Sequence, residues 1–227
     1  MDKIFNKVFL WLAIGLLISF GAGYYLSTNT VLLTKILSIG MAPIIILELV
    51  VAFIFSFFIR KISKTASIVL YIIYSLLTGL TLSFIFLSFK ISSIAITFLA
   101  TSIVFILLAI YGYVTKRDVT KIGTILLFGL LGELILIILN ALIFKSNSLD
   151  MATSVISLII FLGYIVYDIN IVKRRMYDID EDKLAIYGAF QLYLDFINVF
   201  IDLLRFFGKS KDWFSFFIIL LIYLHSI

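Results

Sequence analysis

Hydrophobic residues run along this chain in seven long blocks, at roughly 5–26, 37–59, 66–89, 91–115, 122–144, 151–172 and 184–207, separated by short polar breaks. Each block is close to the ~20 apolar residues that cross a bilayer as a helix. The pattern therefore predicts seven membrane-spanning helices in a single transmembrane domain over residues 1–227. A further apolar run, WFSFFIILLIYL at 213–224, has only twelve residues and is expected to form an interfacial or partly buried tail. The first block has the basic start and apolar centre of a secretory leader. Its length suits a span and no small-residue cleavage site is clear, so it is read as the first helix.

Composition sharpens this reading. With 63% hydrophobic and 14% charged residues, one proline and a mean hydropathy of +1.23, the chain is an all-α membrane protein, and soluble folds are excluded. Cysteine is absent, which excludes disulfides and thiolate metal sites, and the lone histidine, His225, argues against zinc. The net charge of +5 resides in breaks between apolar blocks. It reads as a topology signal of a protein whose partner is the lipid bilayer, with no nucleic acid expected.

Placing the N-terminus in the cytoplasm puts Lys3, Lys7, Arg60, Lys61, Lys64, Lys116, Arg117, Lys121, Lys173, Arg174, Arg175 and Lys183 inside, against Lys35, Lys90 and Lys145 outside. Arg205, Lys209 and Lys211 depart from this bias if the seventh block crosses completely. Either that helix is re-entrant or the C-terminus is a tolerated exception. The charged stretch KRRMYDIDEDK at 173–183 reads as a solvated loop.

Five acids lie in or near the spans: Glu48, Glu133, Asp168, Asp195 and Asp202. On the seventh block Gln191, Asp195, Asn198 and Asp202 recur at intervals of 4, 3 and 4, which stacks them on one helix face. Lipid contact would be costly for such a stripe, so it should face protein or a water-filled path, with the seventh helix central. Asp195 lies twelve residues beyond Lys183, roughly 18 Å in at ~1.5 Å per residue. Asp168 lies five residues before Lys173. If the sixth helix continues past Lys173, the two carboxylates reach one level, can meet, and are expected to share a proton.

Arg60, at the cytoplasmic end of the second block, can supply a guanidinium to such a pair, and Glu48 lies roughly 18 Å deeper on that helix. Pro43 is expected to distort the first turns there and free carbonyl oxygens. Carboxylates and carbonyls together suit a hard cation such as calcium. A bland alternative stands beside this one: membrane acids and amides also serve as interhelical glue, the reading that best fits Glu133 and Asn140. Tyr71, Tyr74 and Gly79 read as packing residues. An intramembrane aspartyl protease would also use two aspartates on adjacent helices, and Tyr167-Asp168 invites that comparison. Its GxGD companion is missing, because Gly163 is followed by YIVYD. No enzyme is expected.

Several segments together, GLTLSFIF (79–86), YGYVTKRDVTKIG (111–123), YIVYDINIVKRR (164–175) and LYLDFINVFIDLLRFFG (192–208), resemble the signature segments of the Bax inhibitor-1 family, specifically its bacterial members. LELVVAFIFSFFIRKISK (47–64) is similar to that family's second helix. The resemblance implies six helices around a central seventh and a calcium-permeable leak gated by pH. It assigns the pH-sensing pair to Asp168 and Asp195, the latch to Arg60 and a pore-lining place to Glu48. Three departures stand out: Phe84 replaces a proline that often follows LTLS, Asp202 occupies a place usually apolar or neutral, and the tail after Gly208 is long and hydrophobic.

The expectation is thus a pH-sensitive calcium-permeable leak channel of a bacterial inner membrane. Calcium is the transported ion, no cofactor is required, and Asp168 and Asp195 are its candidate ligands. Asp202 joins Glu48 and Asp195 on the expected ion path from its place in the stripe, independently of the resemblance. Two alternatives stay open: a regulatory or assembly partner of other membrane proteins, such as a quality-control protease, and a calcium/proton exchanger.

Overall fold

A computed structural model describes residues 3–174 and 179–208. It consists of α1 (Lys3–Thr28), α2 (Thr30–Ile39), α3 (Met41–Phe58), α4 (Lys64–Ser88), α5 (Ile91–Val114), α6 (Thr120–Leu139), a π-helical turn (Asn140–Phe144), α7 (Asn147–Lys173) and α8 (Glu181–Phe207). Six of these, α1 and α4 to α8, are long and apolar enough to cross a membrane, α6 together with its π turn. A seventh apolar helix, α3, is shorter. The protein is an all-α membrane protein. The expected tail at 213–224 and the basic residues Arg175, Lys209 and Lys211 lie outside the described residues, as does His225.

Helix starts follow side-chain chemistry. Asn29, Ser63 and Ser146 cap α2, α4 and α7 by accepting from the amides of Leu32, Ala66 and Leu149. Asp180 accepts from the amides of Asp182 and Lys183 at the start of α8.

The second apolar block departs from the expected single helix. Residues 30–39, partly assigned to a connection, form α2, and the chain breaks at Gly40 before α3 begins. Gly40 has φ +82° and ψ 165°, a conformation essentially reserved for glycine. Pro43, expected to distort this helix, instead sits in the first turn of α3, where its missing N–H costs no intrahelical bond.

Two compact units can be distinguished. One comprises α1 to α4 with α8 up to Tyr193; the other comprises α5 to α7 with α8 from Leu194. In the first unit, α1 lies against α4 along a seam of small residues, Gly15, Ser19 and Gly23, spaced four apart as close helix pairs require. A Cβ on Gly23 would meet the Gly79 carbonyl oxygen at 3.1 Å, and one on Gly15 would run into the Tyr71 hydroxyl. Phe190 of α8 packs here on Phe55 and Tyr74, at ring distances of 4.4 and 5.0 Å. In the second unit, Phe196 of α8 packs on Phe98 and Phe105, at 5.3 and 5.6 Å.

Burial separates lipid-facing helices from interior ones. Only 17% of the most apolar stretch of α6 and 28% of that of α5 is buried, whereas 89% of that of α8 is buried. Most exposed side chains on α5 and α6 are apolar, among them Ile96, Leu107, Ile125 and Phe128, as a hydrocarbon solvent requires. The polar stripe therefore belongs to the most enclosed of the long helices, in keeping with the cost of presenting carboxylates to lipid.

Candidate functional site

The segment of α7 that carries Asp168 is seated by close approaches to α5 and α6. A Cβ on Gly112 of α5 would meet the Val166 carbonyl oxygen at 2.9 Å and Ile169 Cβ at 3.1 Å. The ring of Tyr167 covers Gly123 of α6, so larger residues at either glycine would push α7 away. Polar contacts fix the same end. Asn170 Nδ2 donates to the Gly112 carbonyl oxygen (3.4 Å), Arg174 Nε donates to Asn170 Oδ1 (2.7 Å), and Lys173 Nζ donates to the Tyr113 carbonyl oxygen (2.5 Å). The sixth span thus continues to Lys173, one of the conditions under which the sequence allows Asp168 and Asp195 to meet.

They do meet. Asp168 and Asp195 are 6% and 3% exposed, both lie in the second unit, and their carboxyl groups come within interaction distance of each other. Two carboxylates have acceptors but no donor, so a hydrogen bond between them would need one proton on the pair. No donor among the described residues reaches Asp195 Oδ2. Tyr164, one helical turn before Asp168, lies within electrostatic reach of both carboxyls. Sequence reasoning passed over Tyr164, although its i−4 spacing from Asp168 places it on the same helix face.

The other residues of the stripe are also enclosed. Asp202 is fully buried, and Asn198 donates to the Leu194 carbonyl oxygen at 2.8 Å. Gln191 is half-buried and lies in the first unit, on the other half of α8. Glu48 of α3 is likewise in the first unit, fully buried, with Oε2 accepting from Thr81 Oγ1 of α4 at 2.9 Å. Arg60 follows α3 in that unit; its side chain is exposed and its carbonyl accepts from Lys183 Nζ at 3.4 Å.

Further buried polar groups emerge, and of these the sequence did not single out Ser19, Tyr193 or Asp150. Ser19 of α1 donates to the carbonyls of Gly15 and Ser75, at 2.9 and 2.8 Å, and shares a hydrogen bond of 2.5 Å with the Tyr193 hydroxyl of α8. In the second unit, Asn140 Nδ2 donates to Asp150 Oδ1 at 2.5 Å and to the Ser146 carbonyl at 3.0 Å, while Asn140 Oδ1 accepts from the Ser146 amide at 2.9 Å. Asn140, expected as glue with Glu133, therefore ties the α6–α7 connection together. Lys145 makes that turn possible with a left-handed backbone, φ +47°.

Among the described residues no three acidic or imidazole groups converge closely enough to hold a metal ion. What the second unit offers is a pair of buried neighbouring carboxyls, Asp168 and Asp195, with a buried carboxyl two turns further along α8 at Asp202.

Comparison with known proteins places this arrangement. Residues 1–212 match the family model described as Inhibitor of apoptosis-promoting Bax1. The inner membrane protein YbhL of Escherichia coli K12 is 35% identical over 213 residues, 90% of this chain and 91% of the relative. A protein of Borreliella burgdorferi is 35% identical over 218 residues, 93% and 94% of the two chains. A protein of Deinococcus radiodurans is 30% identical over 210 residues, 91% and 90% of the two. The match runs through every described helix, and the chain belongs to the Bax inhibitor-1 family of integral, multi-pass membrane proteins, among its bacterial members.

Proposed function

We propose that the protein is a pH-sensitive, calcium-permeable leak channel of a bacterial inner membrane, with its N-terminus in the cytoplasm. The observation that carries this reading is the buried, neighbouring pair of Asp168 and Asp195 on two helices of one unit. Sharing one proton, the pair would hold one negative charge, which an arginine can latch; the family resemblance gives that role to Arg60. A second proton cancels the charge and releases the latch, so the helix that carries Asp195 is freed as pH falls.

Carboxyls at Asp195, Asp202 and Glu48 supply oxygens to a passing ion. A resident calcium ion demands six to eight oxygens at once. The dispersed acids suit an ion in transit, for which binding must be weak enough to leave. The location follows the basic-residue asymmetry and the inner-membrane relative of Escherichia coli.

Calcium flux into liposomes at a series of pH values tests the reading. Flux should rise as pH falls and respond to Asp168→Asn and Asp195→Asn; folded protein that passes no calcium at any pH overturns it. Calcium driven uphill by a proton gradient alone would make the protein an exchanger, which uses the same carboxyls differently.

A further inference from the structure

At the opposite end of α8 from Asp202, the first turn carries an ionic junction that the gating pair does not involve. Asp182 receives two lysines at once. Lys7 Nζ of α1 donates to its Oδ1 at 2.5 Å, and Lys64 Nζ of α4 donates to its Oδ2. Glu181 adds a second acid beside Lys7, at 3.6 Å. Lys183, the next residue, reaches back to the Arg60 carbonyl oxygen at 3.4 Å. Three consecutive side chains of α8 therefore contact α1, the start of α4 and the end of the α3 segment. All of these residues belong to the first unit.

One carboxylate shared between two ammonium groups from different helices is a crosslink, unlike the isolated surface pair whose contribution is commonly negligible. It is also open to water. The side chains of Lys7, Lys64 and Asp182 are 44%, 52% and 35% exposed. Charges so exposed are screened by salt: the Debye length is about 30 Å at 0.01 M and about 3 Å at 1 M. Apolar packing of the rest of α8, by contrast, does not weaken with added salt. The junction is thus a part of the helix's anchorage that ionic strength can loosen.

We propose that Asp182 is a positioning residue for the gating helix, tying the first turn of α8 to α1 and α4 through a water-exposed double salt bridge, so that ionic strength sets how firmly that helix is held. This rests on the channel reading for its functional consequence, because α8 carries Asp195. The tie itself does not. Loosening the first turn frees the helix to move along its axis, and with it the register at which Asp195 meets its partner.

Because the chain has no cysteine, a pair of labels can be introduced cleanly. Spin labels at Lys61→Cys and Ile179→Cys, on the α3–α4 connection and just before α8, report the separation of these parts by double electron–electron resonance in liposomes. The expected distribution is narrow at about 0.01 M salt and shifts to longer, broader distances at about 1 M. Asp182→Asn should show the loosened distribution at both concentrations, and Asp182→Glu should restore the narrow one at low salt. A distribution in Asp182→Asn that matches the parent protein at low salt overturns the proposal, as does a parent distribution that ignores salt.

Should Asp182→Asn fail to fold, the Lys7→Gln/Lys64→Gln variant removes the same bridges from the other side and is read by the same criteria. Flux measured in parallel separates the two readings. Salt-dependent distances with no calcium flux keep the tie and remove the channel; flux whose pH profile shifts with salt in the parent, but not in Asp182→Asn, joins them.

Discussion

The seam between α1 and α4 allows a calculation that turns on a single methyl group. A Cβ on Gly79 would stand 2.7 Å from Ala22 Cβ and 3.1 Å from the Ser19 carbonyl oxygen. Non-bonded carbons rest at about 3.5–4.0 Å. Neither neighbour can swing aside, since one is a methyl group on the facing helix and the other is backbone. Gly79→Ala must therefore push the helices apart, and overpacking of this kind costs about 1–3 kcal/mol. Alanine's better helix propensity returns up to about 1 kcal/mol.

Gly21, on α1, provides the control, because a Cβ there meets nothing within 4 Å. Gly21→Ala collects the propensity gain alone. The propensity contribution cancels between the two variants, leaving Gly79→Ala less stable than Gly21→Ala by about 1–3 kcal/mol. At about 2–4 °C per kcal/mol for a chain of this size, the melting temperatures should differ by roughly 2–12 °C. Thermal unfolding in one detergent, followed by loss of the monodisperse species, measures this. If Gly79→Ala melts with or above Gly21→Ala, the close seam described for α1 and α4 is wrong.

The Ser19 junction should respond asymmetrically. Tyr193→Phe removes one hydrogen bond and leaves Ser19 its two carbonyl acceptors, a loss of about 0.6 kcal/mol, whereas Ser19→Ala abandons a buried tyrosine hydroxyl and costs about 1–3 kcal/mol in the same melting assay. Asn140→Ala strips the α6–α7 connection of its bonds to Ser146 and Asp150, and hydrogen exchange should accelerate there while α4 stays protected. Asp202→Asn should lower calcium flux without moving its pH dependence; unchanged flux removes Asp202 from the ion path.

The sequence carried the helices well because the bilayer demands apolar length, a signal that survives without any alignment. It carried the polar stripe of α8 for the same reason: carboxylates on one face of an apolar helix can only be enclosed. The meeting of Asp168 and Asp195 was legible as a condition, since it depended on α7 continuing to Lys173, and that continuation rests on contacts with α5 that hydropathy does not report.

What the pattern hid was local geometry. The break at Gly40 falls inside an apolar run, and only its positive φ distinguishes it from a helical glycine. The Gly15, Ser19 and Gly23 spacing was present in the chain, but small residues carry little hydropathic signal, so their role appears only when α4 lies against them. Asp150 falls just before the expected sixth block at 151–172, and its burial beside Asn140 follows a π turn that no propensity scale foresees. The junction at Asp182 joins residues more than a hundred positions apart in the chain, where exposed charges look like any solvated loop.

In the proposed channel, protonation of the Asp168–Asp195 pair controls calcium passage. The most direct measurement is calcium flux into liposomes containing the purified protein across a pH series, with the parent chain beside Asp168→Asn and Asp195→Asn. Flux should rise as pH falls in the parent, and either substitution should abolish it or make it independent of pH. Flux with the parent's pH dependence in both variants, or no flux at any pH from folded protein, would contradict this reading.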